Sequence, residues 1–244
     1  MCQMRFENLS DTIKICVSDD HGFGTDAFLL THFCGYKRKD LACDLGTGCG
    51  IIPLIMQRNA PPALTYAVDI QPNAIKQLHM SLEESRIDTI KPICADLKEL
   101  WADAPLGKCS LVTCNPPYKA PDAGLQSISQ AQRIARHEIL CSIDDVCRAA
   151  SKLLKFGGRL CLCNRPERLS DVIFAMKNNG IEPKRLRMVS KNPDTAPWLF
   201  LIEGKKGSKP FMQVEPQMYV WSANGYTAEM ESIYAAGLDK EKKS

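Results

Sequence analysis

The sequence has no uninterrupted apolar run near the roughly 18–20 residues that a bilayer span needs, so a membrane protein is not expected. No apolar stretch follows the first residues, Met1-Cys2-Gln3-Met4-Arg5-Phe6-Glu7. No signal peptide is read there, and a cytoplasmic location is expected. Among twelve cysteines there is no Cys-x-x-Cys pair, which removes the ligand spacing of zinc ribbons and thioredoxin-like redox sites. Histidine is scarce, and His21, His32 and His79 have no partner at ligand spacing. No metal is therefore expected. Most cysteines lie among apolar neighbours, as in Ile93-Cys94-Ala95 and Leu160-Cys161-Leu162. They read as small buried hydrophobes in a reducing compartment. Internal repeats are absent, and low complexity is limited to the charged tail 239–244.

What is present is ordinary globular composition: 45% hydrophobic and 24% charged residues over 244 positions. That length can bury a full core. The net charge of +3 is uneven. Residues 152–209 hold 13 basic and 5 acidic side chains, net +8, an asymmetry that can mark a nucleic-acid footprint.

Short apolar runs alternate with helical patterns. Strands are predicted at 41–45, 65–70, 91–95, 110–114 and 159–164, with helices at about 50–59, 72–86, 142–155 and 168–179. The β-α alternation predicts an α/β fold, a mostly parallel sheet with helices on both faces. After Gly180 two runs, 184–190 and 198–203, have no room for a helix between them and should pair antiparallel. Residues 1–40 are expected to form an arm and a helix (25–34, N-capped by Thr25) packed on a core at 41–206. Residues 207–244 read as a C-terminal arm, all within a single domain.

Asp44-Leu45-Gly46-Thr47-Gly48-Cys49-Gly50 leaves the first core strand and opens a helix. Glycines allow a tight turn and a close ligand approach, and the helix start offers free N–H groups. Ile51 stands where a dinucleotide fingerprint needs its third glycine, which argues against NAD or FAD. Asp69-Ile70 ends the second strand, where a carboxylate can accept from both hydroxyls of a ribose. Asp96-Leu97 ends the third, where the carboxylate could accept from an adenine amino group.

The fourth strand runs into Asn115-Pro116-Pro117-Tyr118. The prolines stop the strand, leaving the Asn115 side-chain oxygen and the Pro116 carbonyl as two fixed acceptors. Two such acceptors suit a planar –NH₂ group, whose hydrogens they can hold so that the nitrogen becomes pyramidal and its lone pair is freed. Tyr118 supplies a face for stacking a base.

In this order, Asp44–Gly50, Asp69, Asp96 and Asn115–Tyr118 resemble the class I S-adenosylmethionine-dependent amino-methyltransferases, over roughly residues 20–205. Further strings are similar to the bacterial tRNA-Val adenine N6-methyltransferase family: 23–30 (Phe-Gly-Thr-Asp-Ala-Phe-Leu-Leu), 135–138, 181–186 and 226–230. The resemblance implies a Rossmann-like seven-stranded sheet and S-adenosyl-L-methionine as cofactor. It implies ribose binding by Asp69, adenine binding by Asp96, and a methionine end held by the loop of Gly46, Thr47, Gly48 and Gly50. Asn115, Pro116, Pro117 and Tyr118 would hold the target base.

Other enzymes share the tetrad. A protein glutamine N5-methyltransferase would carry an extra helical domain before the glycine loop, and a DNA adenine methylase a target-recognition insertion. An rRNA guanine N2-methyltransferase presents the same amine and stays open as an alternative. From another class, a non-catalytic RNA-binding module has no need of the intact Asp69 and Asn115–Tyr118. The expected partner is RNA, with tRNA foremost. Arg133, Arg136, Lys184, Arg185 and Arg187 are the candidate phosphate contacts. Oligomeric state is not legible.

Overall fold

The computed structural model describes residues 4–18, 22–116 and 141–236. A short antiparallel hairpin, β1 (Arg5–Asn8) and β2 (Lys14–Val17), precedes helix α1 (Thr25–Cys34). Then come β3 (Leu41–Leu45), α2 (Ile51–Gln57), β4 (Leu64–Asp69), α3 (Pro72–Ser85), β5 (Ile90–Cys94) and β6 (Cys109–Cys114). The second half holds α4 (Ile143–Leu153), β7 (Leu154–Asn164), α5 (Leu169–Asn178), β8 (Ile181–Ser190) and β9 (Leu199–Lys206).

The seven long strands lie in the order β8-β9-β7-β6-β3-β4-β5. The pairs β3–β4, β3–β6, β4–β5 and β6–β7 are parallel, and β9 alone among the seven runs against its neighbours. The expected mostly parallel sheet with an antiparallel hairpin is what forms. Its chain order reverses between β3 and β6. In open α/β sheets, ligands bind at such a switch point, beyond the carboxyl ends of the strands.

Alternation along the strands explains the layers. Ala42, Ala67, Leu111, Cys161 and Leu201 join one buried cluster with α1, α2 and α3. Their neighbours Cys43, Val68, Val112, Leu160 and Ile202 join a second cluster with α4 and α5. The sheet is thus covered on both faces. Helix α3 buries Ala74, Ile75, Leu78 and Leu82, one face at helical spacing. Helix α4 starts at a capping box. The Ser142 hydroxyl accepts from the Asp145 N–H, while the Asp145 carboxylate accepts from the Ser142 N–H at 2.9 Å.

Three local expectations change. Thr25 is the first helical residue rather than the N-cap. Gly24 occupies the cap without a side-chain bond, and the Thr25 hydroxyl pairs with the Tyr234 hydroxyl at 3.1 Å. The strand expected at 159–164 begins earlier, at Leu154, so that Phe156-Gly157-Gly158 lies within β7, beside a register shift against β6. The C-terminal segment adds structure: β10 (Gln213–Val214) and β11 (Met218–Tyr219) both pair parallel with β8. A hairpin of β12 (Trp221–Ser222) and β13 (Gly225–Tyr226) follows, then α6 (Ala228–Ala235).

Candidate active site

A cavity of about 460 Å³ opens over the carboxyl ends of β3, β4, β5 and β6. Gly46, Gly48, Asp69, Ile70, Asp96, Leu97, Asn115 and Pro116, all expected at the site, line it. Asp44, Thr47 and Gly50 are not among its lining residues. Pro117, Tyr118, Arg133 and Arg136 lie outside the described residues.

The glycine loop is held by its own backbone. Gly46 and Thr47 donate to the Val68 carbonyl at 2.9 and 3.0 Å, and Gly50 donates to Thr47 at 2.9 Å. Gly48 has φ +56, a conformation that a side chain disfavours, and nothing stands within 4 Å of where a Cβ would project. The loop backbone therefore meets open space. Gly50 has φ +85, and a Cβ there would run into Leu78 of α3. That glycine lets α2 begin close against α3.

Asp69 is buried, and each of its carboxylate oxygens accepts one backbone N–H. Oδ2 takes Gly48 at 2.8 Å and Oδ1 takes Gln71 at 2.9 Å. Carboxylate oxygens have further lone pairs to offer a ligand. One side chain thus fixes the glycine loop and faces the cavity. Asp96 lines the cavity at the end of β5, and its Oδ1 accepts the Lys98 N–H at 2.9 Å.

Asp44 lies beneath the loop, fully buried, and accepts the Thr113 hydroxyl at 2.6 Å. Burial pushes its carboxyl up to about 7, against the downward pull of that hydrogen bond.

Asn115 follows β6 and is held from two sides. Its Nδ2 donates to Asp26 Oδ2 at 3.2 Å, and its Oδ1 accepts the Cys163 thiol at 3.0 Å. Sequence reasoning assigned no role to Asp26 or Cys163. The only sign was the string around Gly24-Thr25-Asp26, distant in sequence from Asn115. It also missed the far wall, Ser142, Ile143, Val146, Asn164 and Arg168.

The described basic residues expected on RNA sit elsewhere. Lys184, Arg185 and Arg187 lie on β8, the far side of the sheet from β5. Arg185 bonds Glu215 at 2.7 Å and Glu203 at 3.1 Å, with its guanidinium over the Phe33 ring. Arg187 forms a two-bond pair with Glu229, at 2.6 and 3.0 Å. These donors tie the C-terminal segment to the sheet rather than offering themselves to phosphate. Lys184 Nζ donates to the Lys209 carbonyl at 3.1 Å.

Among the described residues, no cluster of three or more His, Cys, Asp and Glu is arranged for a metal ion. None of their helices is long and apolar enough to cross a membrane. Of the eleven described cysteines, all unpaired, nine are buried.

Known proteins share this fold. A solved structure described as a predicted O-methyltransferase from Agrobacterium tumefaciens superposes with a TM-score of 0.70 at 20% identity, covering 87% of this chain and 97% of its own. TYW2 of M. jannaschii, solved in complex with AdoMet, gives 0.56 at 13% identity, covering 83% and 85%. These likenesses are of fold. In sequence, the tRNA1(Val) (adenine(37)-N6)-methyltransferase of Parabacteroides distasonis is 30% identical over 186 residues, 74% of this chain and 75% of the relative. The protein of the same name from Photobacterium profundum is 28% identical over 91% of this chain and 95% of its own. The methyltransferase small domain family matches residues 18–173. The chain belongs to that family of methyltransferases, and to the family of the tRNA1(Val) (adenine(37)-N6)-methyltransferases.

Proposed function

We propose that this enzyme uses S-adenosyl-L-methionine to methylate N6 of an adenine in RNA, the anticodon-loop adenine 37 of a tRNA-Val, in the cytoplasm. The observation that carries the reading is the meeting of the glycine loop, Asp69 and the Asn115-Pro116 pair in one cavity. The names of the relatives give the target.

The cavity suits the cofactor in shape and donor set. Gly46 and Gly48 leave open space where side chains would stand. The Asp69 and Asp96 carboxylates lie on a wall with apolar Ile70 and Leu97, a fit for a ribose and a flat base. On this reading, Asp69 accepts the ribose hydroxyls, Asp96 accepts from the adenine amino group, and the 46–50 loop holds the amino-acid end. When bound, S-adenosylmethionine supplies an electrophilic methyl group.

The chain's own work is to hold the target amine. Asn115 Oδ1 and the Pro116 carbonyl accept its two hydrogens, which bends the nitrogen out of the ring plane and aims its lone pair. Tyr118 stacks on the base. Residues 41–206 hold the cofactor, and the arms 1–40 and 207–244 serve the RNA side. Of the expected phosphate contacts, Arg133 and Arg136 are retained in this reading, while Lys184 bonds the Lys209 carbonyl and Arg185 and Arg187 are spent on Glu203, Glu215 and Glu229.

The test is methyl transfer to RNA from a strain lacking this gene, followed by nucleoside mass spectrometry. N6-methyladenosine in tRNA-Val is the expected product. N2-methylguanosine would move the target to guanine, and label confined to protein would move it to glutamine. Asn115→Ala should keep cofactor affinity and lose about two orders of magnitude in kcat, because its acceptor acts on the transition state. A normal kcat would remove Asn115 from that role.

A further inference from the structure

We infer that Asp26, from the first turn of α1, is a positioning residue that fixes which end of the Asn115 amide faces the target amine. The inference rests on the function proposed above. A side-chain amide offers a carbonyl on one side and an NH₂ group on the other. Only the carbonyl can accept from an incoming amine. If the amide turned over, two N–H groups would face each other and the target would be repelled. Nothing within Asn115 itself selects between the two orientations.

The structure supplies two selectors of opposite character. Asp26 Oδ2 stands 3.2 Å from Asn115 Nδ2, and a carboxylate can only accept, so it calls for the NH₂ end. Cys163 Sγ stands 3.0 Å from Oδ1. Burial drives this thiol well above its ordinary pKa, so it keeps its proton and donates. Asp26 rejects the flipped amide, while Cys163 favours the observed one through its S–H bond, since its sulfur accepts only weakly. Oδ1 keeps its second lone pair for the target, and Asn115 borders the cavity.

Gly24 leaves room for the carboxylate. A Cβ at Gly24 would come within 2.6 Å of Asp26 Oδ1, although its backbone, φ −121, would accept a side chain. The space, and not the backbone angle, calls for glycine. This links Gly24-Thr25-Asp26 to a residue 89 positions away.

The test uses the full chain and three variants. Asp26→Ala removes the acceptor, Asp26→Asn keeps the shape but not the acceptor-only character, and Gly24→Ala keeps the carboxylate but displaces it. Asp26→Ala is expected to lower kcat on tRNA about tenfold or more, with cofactor Kd and KM within about twofold of the parent. Asp26→Asn should stay impaired, because its own amide can turn an NH₂ group to a flipped Asn115, and Gly24→Ala should fall between the parent and Asp26→Ala. A parent-like kcat in Asp26→Ala would overturn the inference. So would a loss lying wholly in cofactor binding, or a parent-like kcat in Asp26→Asn.

A second readout needs no substrate. In ¹⁵N-asparagine-labelled protein, the Asn115 side-chain amide protons should exchange slowly in the parent and faster in Asp26→Ala. Equal exchange in both would overturn the inference. If the parent transferred no methyl to RNA, the proposed function would fall, while this readout would still decide the role of Asp26.

Discussion

Two aspartates beside the glycine loop are held in different ways. Asp69 has backbone N–H donors on both oxygens, whereas Asp44 is buried beneath the loop with a hydroxyl on one of them. Asp69→Ala is expected to lower cofactor affinity about 30- to 150-fold, from two lost ribose bonds at roughly 1–1.5 kcal/mol each. The loop contact at Gly48 is lost as well, so calorimetry should find a larger drop than for Asp96→Ala. Equal affinity for parent and Asp69→Ala would take Asp69 out of the site. Asp44 predicts a pH effect. Its folded pKa, about 7, lies above the roughly 3.9 of an unfolded aspartate, so the folded state holds an extra proton between those values. Stability from this group is therefore greatest at low pH and declines as pH rises from about 4 to about 7. The decline is at most about 4 kcal/mol. In Asp44→Asn, which can still accept the Thr113 hydroxyl, urea unfolding from pH 4.5 to 7.5 should lose that downward slope. An unchanged slope would place the titration elsewhere. The positions of Asp69, Asp96 and Asn115 were legible in the sequence because strand ends converge in a parallel sheet. The Asp44 environment and the Asp26 contact were not, since both depend on packing between segments distant in the chain.

At the scale of elements, the glycine loop sets how α2 meets α3. Gly50 combines a left-handed backbone with contact against Leu78. Gly50→Ala must pay for both the backbone strain and the displaced leucine, together about 2–4 kcal/mol of stability. Chemical denaturation would read this directly, and an unaltered midpoint would mean that α2 and α3 can separate at little cost. The core strands and helices were readable from alternation, because each apolar run marks a strand covered on both faces. Helix α1 was predicted with its observed bounds. What was not readable is the attachment of the two ends. The β1–β2 hairpin and the two-residue strands β10 and β11 are too short to carry a pattern. The Arg187–Glu229 pair that joins β8 to α6 spans 42 positions, and no local spacing reveals it. The same cause misdirected the reading of Arg185 and Arg187. In sequence they are basic residues in a basic stretch, and in the fold they are partners for Glu203, Glu215 and Glu229.

At the scale of the whole molecule, the net +8 stretch divides between two ends of the sheet. Strand register settles the division. Asn164 pairs with Phe200 and Val189 with Leu199, so this end lies with the carboxyl ends of the parallel strands and the cavity. Arg159 pairs with Lys205 and Ile181 with Lys206, which places these lysines at the opposite end. Lys184 bonds the Lys209 carbonyl there, and Lys206 bonds the Leu154 carbonyl at 2.9 Å. At the same end of the sheet as the cavity the stretch contributes Arg165, Arg168 and Lys191, of which Arg168 lines the cavity. An RNA whose target base enters the cavity can reach this second group directly. Each phosphate contact releases counterions and adds somewhat under one unit to the slope of log K against log salt. Arg168→Gln with Lys191→Gln should therefore weaken tRNA binding and lower that slope by about one to two units between 50 and 200 mM salt. Lys205→Gln with Lys209→Gln, the same change of charge at the other end, should leave the slope unchanged. If the second pair flattened the slope and the first did not, the RNA would have to wrap to the amino edge of the sheet. If neither did, phosphate recognition would pass to the segment that carries Arg133 and Arg136.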